Sequence, residues 1–151
     1  MFRKSIDTPL GRLVVREANK RVVAVSWDAA DHHDDTPVLR EATRQLTAYF
    51  AGTLISFDLP LQPDGDEFQQ SVCAAMLQIP FGQTREYGEI ARDLGSMPQP
   101  VGNACGRNSI PVIIPCHRVV GATGLGGFSA PGGVETKVAL LKHEGAYGLL
   151  L

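Results

Sequence analysis

The sequence is short of several things, and each shortage excludes something. It has three cysteines in 151 residues (Cys73, Cys105 and Cys116), an odd count with no Cys-x-x-Cys spacing. That pattern fits neither a disulfide framework nor a structural zinc site, and no metal is expected. In a reducing compartment each thiol is free. No apolar run approaches the roughly 18–20 residues that span a bilayer, which excludes a membrane helix. Met1–Asp7 runs straight into a strand-like pattern with no apolar secretory stretch, so the expectation is a cytoplasmic protein with no membrane partner. There is no internal repeat, no low-complexity tract and little net charge, −2 at neutral pH. Taken whole, that charge is not that of a nucleic-acid binder.

The distribution of charge reads differently. Residues 1–66 carry 8 basic and 10 acidic side chains, and residues 67–151 carry 6 of each. Between Asp93 and Glu135 lie 41 residues without an acid, which include Arg107 and Arg118. Such a stretch is either a surface able to approach phosphates or a small, buried segment.

Sixteen glycines and ten prolines punctuate the chain into short elements. Residues 10–16 and 21–27 read as strands joined by a turn at 17–20. A polar loop, 28–36, precedes Pro37, where Leu39, Ala42, Leu46, Tyr49 and Phe50 recur at helical spacing up to Gly52. A short strand is expected at Ser56–Leu61. Residues 62–66, Gln-Pro-Asp-Gly-Asp, form the linker candidate, giving domains 1–65 and 66–151. Beyond it come helices. Phe68, Val72, Ala75, Met76 and Ile79 share one helical face, Glu86–Leu94 is a second helix, and Gln99–Gly106 a third with Pro100 in its first turn. Two short helices joined by a Gly-containing turn predict a helix-turn-helix. Pro111–Pro115 reads as an apolar strand, 121–133 as a Gly-rich loop, and Val138, Leu140 and Leu141 as a last helix capped by Gly145.

Among motifs, Gly124-Leu-Gly-Gly-Phe-Ser129 has serine where a dinucleotide fingerprint needs its third glycine. Asp31-His-His-Asp-Asp35 lacks a distant partner cluster for a metal. Pro115-Cys116-His117-Arg118 is the strongest local feature. A thiol at the end of an element, with an imidazole next to it, is a candidate nucleophile once ionised. A small buried cysteine in a core turn would read the same way locally.

The run Ile114-Pro-Cys-His-Arg-Val-Val120, with Asn108 eight residues before the cysteine, resembles the active-site signature of the O6-alkylguanine-DNA alkyltransferases. The resemblance extends upstream through Phe68-Gln69, Val72, Leu77, Ile79-Pro80, Gly82, Thr84, Tyr87 and Ile90-Ala91. Downstream it reaches His143-Glu144-Gly145, so it covers roughly residues 66–146. It implies an α+β fold, in which a small N-terminal α/β domain of ribonuclease H type precedes a mainly helical winged helix-turn-helix. It implies single-turnover repair, in which the alkyl group on guanine O6 passes irreversibly to Cys116, with O4-alkylthymine a further substrate candidate. No cofactor is implied, and the partner is double-stranded DNA bound by a monomer. By this resemblance His117 takes the thiol proton through a water, Glu144 orients the imidazole, Tyr87 protonates the departing oxygen and Asn108 holds the surrounding turns. The target base is flipped out of the duplex. The Val119 carbonyl, Phe128 and Ser129 contact the flipped base. Gln69, Tyr87, Gly88, Ser96, Gln99, Val101, Gly102, Asn103, Ala104 and Arg107 face DNA.

Four positions depart from the family pattern. Gln99 stands where an arginine usually fills the gap left by the flipped base, Pro100 replaces an alanine, and Cys73 and Glu86 replace a tryptophan and a serine. Two other functions fit the same residues. A sensor would grip alkylated DNA without transfer, and a Cys-His-Glu hydrolase would turn over many times. Stoichiometry separates all three.

Overall fold

The computed structural model describes residues 1–148 and divides the chain into two compact units, Met1–Pro63 and a second beginning at Asp64. No helix among the described residues is long and apolar enough to cross a membrane.

The first unit is a three-stranded antiparallel sheet, β1 (Phe2–Thr8), β2 (Gly11–Ala18) and β3 (Arg21–Trp27), with α1 (Pro37–Phe50) packed against it. The β2–β3 turn is tighter than expected. Asn19 and Lys20 both take positive φ, 52° and 62°, while Glu17 and Ala18 stay in the ladder. Two left-handed residues match the twist of the flanking strands, which a looser four-residue turn would not. Leu13, Val15, Leu39, Ala42, Leu46 and Tyr49 are fully buried and form the core. Thr36 caps α1. Its hydroxyl accepts from Leu39 N at 3.1 Å and donates to the buried Glu17 carboxylate, tying the helix start to β2.

The strand expected at Ser56–Leu61 does not form. Only Leu61 bridges to Val22, and Pro60 has no N–H with which to extend a ladder. The Asp58 backbone is satisfied by a side chain instead, as Gln45 both donates to its carbonyl (3.0 Å) and accepts from its N–H (2.9 Å).

The second unit begins with α2 (Glu67–Leu77), capped by Asp66, whose carboxylate accepts from Gln69 N at 2.9 Å. Val72, Cys73 and Met76 line its buried face. The strand pair β4 (Arg85–Glu86) and β5 (Val119–Val120) is parallel and joins distant parts of the unit. From β4 the chain passes directly into α3 (Tyr87–Leu94), which ends at Gly95 with φ 65°. That left-handed glycine turns the chain into α4 (Pro98–Gly106), which packs on α3 as a helix-turn-helix. Pro98 and Pro100 occupy the first turn of α4, where their missing N–H groups leave no bond unmade.

Pro111–Pro115 is a turn, not a strand. Ile114 N donates to Ile110 O at 2.9 Å, and Val112 takes φ 72°. The Asn108 side chain clasps this turn at both ends, accepting from Ile110 N at 3.0 Å and donating to Ile114 O at 2.8 Å. Cys116–Arg118 follows as one turn of 3-10 helix leading into β5. The last helix, α5 (Val134–Glu144), ends at Gly145 in the left-handed conformation.

Candidate active site

The 3-10 turn places Cys116 on the wall of a cavity of about 680 Å3 within the second unit. Tyr87 from α3, Gln99, Gly102 and Asn103 from α4, and Phe128 and Ser129 from the Gly-rich loop line the same cavity. The loop is held across its mouth at identifiable points. The Ser129 hydroxyl donates to Gly106 O at 3.1 Å, and Gly127 O accepts from Lys137 Nζ at 3.2 Å. Gly126 has φ +75°, and a Cβ there would lie 2.7 Å from the Tyr87 hydroxyl, so only glycine fits between loop and ring.

The two residues that follow the cysteine in the 3-10 turn belong to a buried polar cluster. His117 is fully buried and its Nε2 lies 2.8 Å from Glu144 Oε2. Arg118 forks onto the same carboxylate, Nε to Oε1 at 2.8 Å and Nη2 to Oε2 at 2.9 Å, and Nη1 donates to Ile79 O at 2.7 Å. Burial holds His117 below its ordinary pKa against the opposing pull of Glu144. A neutral imidazole donating from Nε2 presents a bare lone pair on Nδ1. Nδ1 is buried and makes no hydrogen bond to protein. It is left able to accept a proton.

The thiol itself is protonated at rest. Burial pushes Cys116 up to about 11, with the Asn108 amide and the Lys137 ammonium pulling the other way. Burial likewise lifts the Tyr87 phenol to about 12, reinforced by the neighbouring Cys105 and Cys116. Tyr87 therefore holds its proton and can donate it.

The structure corrects several expectations. Gln69 is not on a DNA-facing surface. It is 2% exposed, and its amide donates to Ala104 O at 2.7 Å, pinning α2 to α4. Val101 and Ala104 are fully buried as well. The helical period puts them on the face of α4 opposite Gln99, Gly102, Asn103 and Gly106, which form its solvent side at i, i+3, i+4 and i+7. Arg107 is exposed just past the helix end, and Gly88 and Ser96 are partly exposed. Arg118 is not a surface cation, since it is buried against Glu144. The Val119 carbonyl is already engaged by Lys137 Nζ at 2.6 Å, so a base amino group would meet its second lone pair.

Lys137 was not anticipated. It is fully buried, and its ammonium donates to Val119 O, Gly127 O and, at 3.4 Å, to the Tyr87 hydroxyl. No carboxylate is among those partners, and desolvation lowers its pKa to about 8. A signal was present. Lys137, Leu140, Leu141 and Glu144 fall at i, i+3, i+4 and i+7, the buried stripe of α5, with a charge at each end. Arg118, adjacent to the motif's histidine, carried no comparable signal.

Comparison with known proteins identifies the family. The family model described as 6-O-methylguanine DNA methyltransferase, ribonuclease-like domain, matches residues 1–63. The model described as 6-O-methylguanine DNA methyltransferase, DNA binding domain, matches residues 67–146. A methylated-DNA–protein-cysteine methyltransferase of Methanosarcina acetivorans is 54% identical over 157 residues, covering 97% of this chain and 99% of its own. The constitutive enzyme of that name from Bacillus subtilis is 39% identical, with 95% and 94% covered. The crystal structure of Mycobacterium tuberculosis O6-methylguanine methyltransferase matches with a TM-score of 0.85 at 39% identity over 95% of this chain and 92% of that one. The M. tuberculosis OGT in complex with DNA also matches at 0.85 and 39%, over 96% and 93%. The chain belongs to the methylated-DNA–protein-cysteine methyltransferase family.

Proposed function

We propose that this protein repairs O6-alkylguanine in double-stranded DNA by moving the alkyl group to Cys116, once per molecule, acting as a cytoplasmic monomer. The observation that supports the reading is that Cys116 lines a cavity large enough to admit a base, while the next two residues along its 3-10 turn, His117 and Arg118, bind the buried Glu144 carboxylate. The cavity adjoins the solvent side of α4, whose short residues Gly102 and Gly106 let a duplex backbone come close.

The residues divide the work. The Cys116 proton passes through a water to Nδ1 of His117, and Glu144 steadies the imidazolium that forms. The sulfur then displaces the alkyl carbon. The S–C bond forms as the C–O6 bond breaks, and the bonding pair stays on guanine. The Tyr87 hydroxyl protonates that oxygen, and the Lys137 ammonium beside it offsets the charge left on the phenol. Lys137 also favours the thiolate before transfer. The product is a thioether, which has no proton to lose and no route back to a thiol, so the protein is consumed. Asn108 acts through the turn it clasps and is a positioning residue.

The test is intact-mass analysis after incubation with an oligonucleotide duplex containing O6-methylguanine. Each molecule should gain one CH2, located on the peptide bearing Cys116. Tight binding with no gain in mass would identify a sensor, and product in excess of protein a hydrolase.

A further inference from the structure

Cys105 is a second thiol lining the same cavity as Cys116, contributed by the last turn of α4. Its sulfur lies 3.7 Å from Met76 Sδ, and the side chain is otherwise closed in. The repair reaction assigns it no task. Two sulfurs lining one largely apolar cavity form a dithiol, and charge on Cys116 raises the reluctance of Cys105 to ionise. Reagents that need a thiolate from both are disfavoured there. A reagent that takes two neutral thiols and returns a neutral product is favoured.

We propose that Cys105 and Cys116 form a binding site for a trivalent organoarsenical, which bridges the two sulfurs across the cavity. The step balances without charge. An arsenoxide R–As=O forms two As–S bonds, and its oxygen leaves as water with the two thiol protons. An aryl group on the arsenic occupies the space between Tyr87 and Phe128 that a base would take. Blocking of repair by the adduct rests on the proposed role of Cys116, whereas formation of the adduct does not.

The probe is phenylarsine oxide. Wild type should gain one phenylarsenic less two hydrogens, and the adduct should survive washing with a monothiol and be released by 2,3-dimercaptopropanol. Cys73→Ser, which removes the third buried thiol, should behave as wild type. Cys105→Ser should give only an adduct stripped by the monothiol. Peptide mapping of the wild-type adduct should link the peptides of Cys105 and Cys116, a measurement that stands even if a variant fails to fold. An unchanged mass, a monothiol-labile wild-type adduct, retention in Cys105→Ser or a link to Cys73 would each overturn the site. Methyl transfer by untreated protein is scored separately, so failure of repair is distinguishable from failure of the dithiol.

Discussion

Replacing Lys137 with methionine separates two properties that are normally confounded. The ammonium is buried without a carboxylate, and its pKa falls from 10.5 to about 8. At ~1.36 kcal/mol per unit, the charged form costs the folded state about 3 kcal/mol. The sign follows from proton binding. Between about pH 8 and 10.5 the unfolded chain holds this proton more firmly than the folded one, so the lysine's contribution to stability rises with pH in that window. Below about pH 8 the full cost is present. Lys137→Met removes it, but leaves the Val119 carbonyl without its donor, a loss of about 1–3 kcal/mol. The variant should therefore be as stable as wild type or slightly more so near neutral pH. The wild-type-minus-variant difference should climb by about 3 kcal/mol across the window. Transfer should move the other way. Taking the charge as ~8 Å from the forming thiolate at an effective dielectric of ~20, it contributes about 2 kcal/mol, so the single-turnover rate should drop about 30-fold. The wild-type rate should also stop rising with pH near 8 as the ammonium is lost, while the variant's keeps rising past it, its thiol having lost the charge that held its pKa down. Urea unfolding across pH and rapid-quench transfer kinetics supply both readouts. A flat stability difference, or a rate within about twofold of wild type, would refute the reasoning.

Four further outcomes are expected. Cys116→Ala should abolish methyl transfer yet retain binding to methylated duplex in a gel-shift assay, since only a sulfur is removed. Glu144→Gln should lower unfolding stability by about 3–5 kcal/mol, measured in denaturant, because Arg118 is left as a buried unpaired cation. Asn108→Ala should cost about 2 kcal/mol through its two lost bonds to the 110–114 turn, and should shift the pH–rate profile upward as the thiol loses its amide neighbour. Gln99→Arg should tighten DNA binding and steepen its salt dependence by about one phosphate contact, as fluorescence anisotropy at several salt concentrations would show.

What could be read in advance followed from local rules. Pro37 with its periodic apolar stripe marked α1, Gly95 marked the turn of the helix pair, and the cysteine motif marked the cavity. The failures have tertiary causes. Pro111–Pro115 looked like a strand because its side chains are β-formers, but Asn108 and the left-handed Val112 fold it into a turn. Ser56–Leu61 lacked a partner for all but one residue. Gln69, Val101 and Ala104 were placed on the wrong side because contact between α2 and α4 decides which face of α4 is solvated. Lys137 shares a helical stripe with Leu140 and Leu141, but a lysine by itself reads as solvent-facing, and the carbonyls that accept its hydrogen bonds come from segments 10 and 18 residues away.

The solvent side of α4 carries no cation along its length, and Arg107 sits just past its end. If that side meets DNA, few counterions are displaced on contact, and an undamaged duplex offers little to hold the protein. Dwell times on intact sequence are then short and most encounters are rejected quickly. For a molecule that works a single time, rapid sampling of many sites serves better than a firm grip on any one, and a lesion is retained only when a base enters the cavity.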